Sequence, residues 1–305
     1  MTIRPANDED VPEIVRLLRI SLGESLMPKS ETFWRWKHKG NPFGKSPVLL
    51  ALDRQRLIGV RAFMNWQWRN GEKIYKAVRA VDTATHPEYR GKGIFKSLTL
   101  QLVDESRHNN VDFIFNTPNK VSKVGYLKMG WASHGKMTIC VKPTWPFRQR
   151  SGDFDREYQI GATFTVANEN FISNHRHLVT NHSSEFLNWR YALNPNIKYH
   201  FFTDSPDRPN YLTIFRLKHF KHILEFRLCE NFISRNFDSK YYTQHLKTVI
   251  SESGANIVTS ANSLHLFPSI GLPLGPEITV RPFTVDPDFL NFSFWKPSLG
   301  DLEVF

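Results

Sequence analysis

Residues Thr83 to Phe95 read TATHPEYRGKGIF, a short β-like run, a turn, a basic glycine loop and the start of a helix. This layout suits a phosphate. Gly91 and Gly93 let the backbone approach an anion with no Cβ in the way, so successive N–H groups can converge on it. The helix that opens near Ile94, IFKSLTLQLVDES, adds its orphan amides and the positive end of its dipole. Arg90 and Lys92 set full charges beside them. The spacing is neither that of the dinucleotide fingerprint nor that of the P-loop.

Downstream, VDFIFNTPNKVSKVGYLKMGW carries a β-branched and aromatic run from Val111 to Phe115, which reads as a buried strand. Asn119 follows, then Ser122, Gly125, Tyr126 and finally Gly130-Trp131. Together the two stretches resemble the GNAT superfamily of acyl-CoA-dependent N-acetyltransferases. Its pyrophosphate loop reads Arg/Gln-x-x-Gly-x-Gly/Ala, and Arg90, Gly91, Lys92, Gly93 and Ile94 fit that pattern. Phe95 departs from it, standing where the family places Gly or Ala.

The resemblance implies a site. Arg90 to Phe95 would hold the coenzyme A pyrophosphate. Asn119, with Ser122 one turn on, would meet the pantetheine arm. Tyr126 would protonate the departing thiolate. The strand Val81 to Thr85 would splay from its neighbour, with Thr83 and Thr85 on one face by the strand period. Asp82 points the other way. As the acid of an apolar strand it needs a partner, and two roles stay open: orienting or deprotonating the acceptor amine, or pairing with Arg79 or Arg61. At the start of the chain, Thr2 to Ala6 reads as a strand, and Asn7 as the cap of the helix DEDVPEIVRLLRISL.

The 305 residues suit two domains at roughly 150 residues each. An internal echo supports that division. FWRWKHKGNP from Phe33 matches FLNWRYALNP from Phe186, pairing Trp36 with Trp189, Lys37 with Arg190 and Asn41-Pro42 with Asn194-Pro195. VDFIFNTPN likewise matches ANIVTSANS. We read a duplicated α/β unit: two GNAT-like mixed-sheet units in tandem, an acyl-CoA-binding domain over 1–148 and a degenerate one over 149–305. The polar stretch 142–158, KPTWPFRQRSGDFDREY, reads as the linker. In place of HPEYRGKGIF the second unit has CENFISRNFDSKYY, which contains no glycine, so it is expected to lack the pyrophosphate loop.

Charge follows the same division. Residues 1–150 hold 26 Lys+Arg against 13 Asp+Glu, whereas 151–305 hold 14 against 16. A cationic half beside a near-neutral one is expected when the first handles a polyanionic co-substrate. The basic residues are scattered, without a basic helix or a zinc-ligand spacing, so neither nucleic acid nor a metal is expected as a partner. Cys140 and Cys229 lie far apart in apolar contexts and read as buried small hydrophobes rather than a disulfide or metal ligands. No run approaches the roughly 18 apolar residues of a membrane span, and a soluble, cytoplasmic protein is expected.

The function these readings imply is transfer of an acetyl group from acetyl-CoA to a primary amine, such as an amino sugar or another small amine. The alternative is a GNAT-fold protein that binds acyl-CoA without turning it over. The Trp-x4-Asn-Pro segments, the second half and the C-terminal FSFWKPSLGDLEVF (292–305) are expected to build the acceptor side.

Overall fold

A computed structural model describes residues 1–23, 28–144, 176–205, 209–234, 237–261, 269–285 and 287–302. The first half runs β1 (Thr2–Pro5), α1 (Val11–Leu22), α2 (Glu31–His38), β2 (Val48–Asp53), β3 (Arg56–Asn70), β4 (Lys73–Thr85), α3 (Ile94–His108), β5 (Phe113–Asn116), α4 (Lys120–Lys128), β6 (Ala132–Lys136) and β7 (Ile139–Pro143). The second half repeats much of that order. It runs β8 (Val179–Thr180), α5 (Ser184–Leu187) leading into a π turn (Asn188–Ala192), β9 (His200–Thr203), β10 (Tyr211–Phe220), β11 (Ile223–Ile233), α6 (Ser239–Ser253), β12 (Ile257–Ser260), β13 (Ile270–Leu272), β14 (Glu277–Pro282) and the short α7 (Leu299–Leu302).

Two mixed sheets result, and they exchange strands. The first has the order β1-β2-β3-β4-β5-β14-β6, with β8 pairing β3 at its side; the second has the order β13-β7-β12-β11-β10-β9. Strand β14, far along the chain, inserts between β5 and β6, while β7 inserts between β12 and β13. The alternation of EITVRP explains the fit of β14. Ile278 and Val280 are buried on one face, and the buried Thr279 hydroxyl donates to Asn116 Oδ1 at 2.5 Å. A cut near residue 148 therefore leaves each sheet with a strand from the other side of the cut. One core also joins the halves, bringing Trp66, Trp68 and Phe115 together with Phe186, Trp189 and Trp295.

Three local expectations are corrected. Lys142 and Pro143 are not linker but the end of β7, paired with β12; the rest of the 142–158 stretch beyond Thr144 lies outside the described residues. Helix α1 starts at Val11 with Asp10 as its cap, not at Asn7. Arg4 grips the Asp10 carboxylate at 2.7 Å, and the Asn7 side chain accepts from the Glu9 and Asp10 amides, so Asn7 closes the turn before the helix. The third correction, the partners of Asp82, belongs to the site.

Candidate active site

Strand β4 carries the site because it outlasts its neighbour. It pairs β5 in parallel only from Ala77 to Arg79, opposite Phe113 to Phe115, yet continues beside β3 to Thr85. Beyond Arg79 its outer edge has no strand partner among the described residues. A bulge between Arg61 and Ala62 in the β3 register places Asp82 at the extra position, with φ at 37°. Such a bulge re-aims side chains. Thr83 pairs with Arg61 and Thr85 with Gly59, and cross-strand partners share a face.

That face holds Tyr126. Its ring is buried near the C-terminal end of α4, in the core formed with α3 and β5. Arg61 Nη2 donates to the Tyr126 hydroxyl at 2.6 Å, and the guanidinium carbon lies 5.4 Å from the ring centre. Because the phenol oxygen already accepts from a cation, its own O–H is left to donate. Phe95, the departure from the family pattern, closes the group: its ring meets Tyr126 edge-on at 5.6 Å and lies 5.6 Å from the Arg61 guanidinium carbon. Gly125 makes the room, since a Cβ there would fall 3.0 Å from Phe95 Cε1. The bulk at 95 is thus matched by its lack at 125.

The glycine loop leads directly into α3. Gly91 and Gly93 both have φ at 77°, the left-handed region, and Gly93 is the helix cap with no side chain bonded to the first-turn amides. A Cβ at either position would meet no atom within 4 Å, so the space before the helix is open. Arg90 Nη2 donates to Ser21 O at 2.8 Å, and Lys92 Nζ lies 4.5 Å from the centre of the Tyr89 ring. Ile94 is buried while Arg90 to Gly93 are exposed. The matching place in the second half is built differently. Asp238 caps α6 and accepts from the Lys240 amide at 2.8 Å, so a protein carboxylate already occupies that helix end.

Asn119 caps α4. Its Oδ1 accepts from the Ser122 amide at 2.8 Å and from the Ser122 hydroxyl at 3.0 Å, which leaves the Nδ2 group outward on an exposed residue. About 10 Å of helix separate it from Tyr126.

Asp82 stands on the opposite face, against α2. Its Oδ2 meets Lys37 Nζ at 2.6 Å and His38 Nε2 at 2.7 Å. The sequence pointed instead to Arg79 or Arg61, but both are engaged elsewhere. Arg79 Nη1 donates to Asp301 O at 2.7 Å and Arg61 serves Tyr126. Burial alone would raise the Asp82 carboxyl, yet the charge of Lys37 and the bond from His38 hold it well below the usual carboxylate range. Burial pushes the His38 imidazole down against the pull of Asp82, so at neutral pH it is uncharged. Its Nε2–H then donates to Asp82, and Nδ1 accepts from the half-buried Ser46 hydroxyl at 2.9 Å. Burial also pushes Lys37 down, with Asp82 opposing.

Sequence reasoning missed Lys37 and His38 and gave Arg61 the wrong partner. Arg61 is the one cation in the otherwise apolar run LIGVRAFM. Lys37 and His38 carry no such signal, because only tertiary packing brings α2 to the β4 bulge.

Residues 2–133 match the family model described as an acetyltransferase (GNAT) domain. This part of the chain is a GNAT domain. Solved structures extend the likeness to both halves. A probable N-acyltransferase from Enterococcus faecalis superposes with a TM-score of 0.67 at 14% identity, over 93% of this chain and 73% of that one. A GCN5-related N-acetyltransferase from Anabaena variabilis gives 0.65 at 16%, over 92% and 72%. N-myristoyltransferase from Saccharomyces cerevisiae gives 0.54 at 12%, over 94% and 80%. At these identities the likeness is one of fold. No curated protein matches the sequence.

Proposed function

We propose that the chain transfers an acyl group, acetyl in the first instance, from acyl-CoA to a primary amine. The observation that carries this reading is the end of β4 pairing at Arg79, with Tyr126 on one face of the open edge and the glycine loop at the start of α3. The Gly91 to Ile94 amides and the α3 dipole suit a pyrophosphate, with Arg90 and Lys92 as flanking charges. Thr83, Thr85 and the unpaired edge of β4 suit the pantetheine and the acyl carbonyl, with Asn119 Nδ2 as a further donor and Ser122 holding its side chain.

Acyl transfer needs a neutral amine, a polarised carbonyl and a proton for the leaving thiolate. Tyr126 supplies that last proton, and Arg61 stabilises the phenolate it leaves. The amine enters from the α2 face. There Asp82 has a positioning role, not that of a base: a carboxylate held so far down by Lys37 and His38 is a weak proton acceptor. It fixes the His38 ring, whose Nδ1 in turn holds the Ser46 hydroxyl. The second half, whose α6 end is closed by Asp238, carries no second acyl-CoA site and serves the acceptor side. A cytoplasmic setting belongs to the same proposal; among the described residues, no helix is long and apolar enough to cross a membrane.

Thiol release from acetyl-CoA, screened against amino sugars, polyamines and peptide amines, tests the reading. Release that depends on one amine class supports it. Tight acetyl-CoA binding with no release on any amine would point to the non-catalytic alternative.

A further inference from the structure

Apart from the acyl-CoA site, the second half buries a second polar cluster. His182 follows β8, Glu230 lies near the end of β11 and Asp301 sits in α7. We propose that these three side chains form a binding site for one divalent transition-metal ion, of the zinc or cobalt kind, which fastens the C-terminal segment to the second sheet.

His182 Nε2 lies 3.4 Å from Glu230 Oε2 and 3.8 Å from Asp301 Oδ1, and the three donor atoms all fall within 4.8 Å of one another. Ligands about 2.1 Å from a tetrahedral ion sit about 3.4 Å apart. The remaining oxygens are already committed. Glu230 Oε1 accepts from the Tyr191 and Ser298 hydroxyls, both at 2.5 Å. Asp301 Oδ2 accepts from the Ser298 amide at 2.8 Å. Each residue thus turns one uncommitted atom toward the others. His182 Nε2 and Asp301 Oδ1 make no hydrogen bond among the described residues, and the Asp301 side chain is 1% exposed. The Thr180 hydroxyl lies near enough to favour charge on Asp301 without closing a bond on Oδ1. A buried carboxylate oxygen left so is costly unless something fills the gap.

The donor set selects the occupant. One imidazole and two carboxylates suit zinc, cobalt or manganese better than a thiolate-seeking ion or an all-oxygen calcium site. Tyr191 and Ser298 are the outer partners that such sites use to orient a ligating carboxylate. The cations nearby do not compete, because Arg79 Nη1 donates to Asp301 O and Arg190 Nη2 to Gly300 O, both main-chain acceptors. Phe186 and Phe232 flank the imidazole, and His182, 14% exposed, is the way in.

The full chain, stripped of metal with a chelator, is titrated with Co²⁺ while the visible d–d absorption is followed. The expected result is one equivalent bound with a tetrahedral-type band, displaced by Zn²⁺, and weaker as pH falls because protons compete. His182→Ala is expected to abolish the band while acetyl-CoA affinity stays the same. Nitrogen NMR of the histidine rings gives a second readout on the wild-type chain, a metal-induced shift at His182 Nε2. A folded wild type with no stoichiometric band, a band that survives His182→Ala, or a His182 ring that titrates undisturbed by Co²⁺ would overturn the proposal and leave a proton-sharing ion pair.

Discussion

Trp36 and Trp189 clasp each other reciprocally. Trp36 Nε1 donates to Trp189 O and Trp189 Nε1 to Trp36 O, both at 2.8 Å, with the rings stacked at 4.9 Å and 18°. The two residues are 153 apart, the offset of the sequence echo. The echoed lysine and arginine diverge instead. Lys37 pairs with Asp82, whereas Arg190 Nη1 donates to Tyr199 at 2.9 Å.

The clasp has a measurable consequence. Trp36→Phe or Trp189→Phe keeps a ring but leaves one main-chain carbonyl without its donor. Each is expected to cost about 1–3 kcal/mol in urea unfolding. In the double variant the two losses should fail to add, because the pair shares one contact. Two costs within experimental error of zero would refute the clasp.

For Tyr126→Phe we expect acetyl-CoA affinity within about twofold of the wild type, since the ring still packs against Phe95 and Trp131. Amine-dependent kcat should fall about 10²-fold, the low end for losing a positioned acid. An unimpaired enzyme would remove Tyr126 from the proton path and leave water in its place.

Asp82 gives a pH signature. Its folded value is depressed, so its contribution is fully present above the unfolded value of about 4 and is lost as pH falls through the folded one. His38 is also depressed, so stability falls as pH drops below about 6.5, where the unfolded chain gains a proton that the folded chain refuses. Asp82→Asn should therefore lower the melting temperature most at neutral pH, with the gap to wild type narrowing below about pH 4. If Asp82 were instead the base, its loss would flatten the acid limb of the kcat/KM profile while stability held.

Phe95 and Gly125 are expected to be coupled. Gly125→Leu should displace the Phe95 ring, and with it the edge contact on Tyr126, raising KM for acetyl-CoA and lowering kcat. Phe95→Ala in the same chain should restore part of both. Steady-state kinetics on the three variants reads this directly, and independent effects would show that the fit at 95 and 125 carries no functional weight.

Much of this was legible in the residues. The glycine loop and the strand before Asn119 are local signals, set by backbone freedom and by β-branched and aromatic residues, and the echo at Trp36 and Trp189 needed only alignment. What escaped is what depends on distant chain. The exchange of β7 and β14 cannot be read from alternation, because EITVRP would fit the edge of either sheet. The partners of Asp82 come from α2, and the Glu230 and Asp301 carboxylates meet His182 only once the C-terminal segment has docked. Asn7 misled because its side chain does bond the next amides, one turn before the helix starts.

The proposed function requires one acyl-CoA site, built by the first half around Gly93. Calorimetry of acetyl-CoA on the full chain measures it directly. One site per chain, weakened by added salt and at least tenfold weaker in Gly93→Asp, where a carboxylate would take the place Asp238 takes in the second half, is the predicted result. Two equivalent sites per chain, or no binding at all, would contradict it.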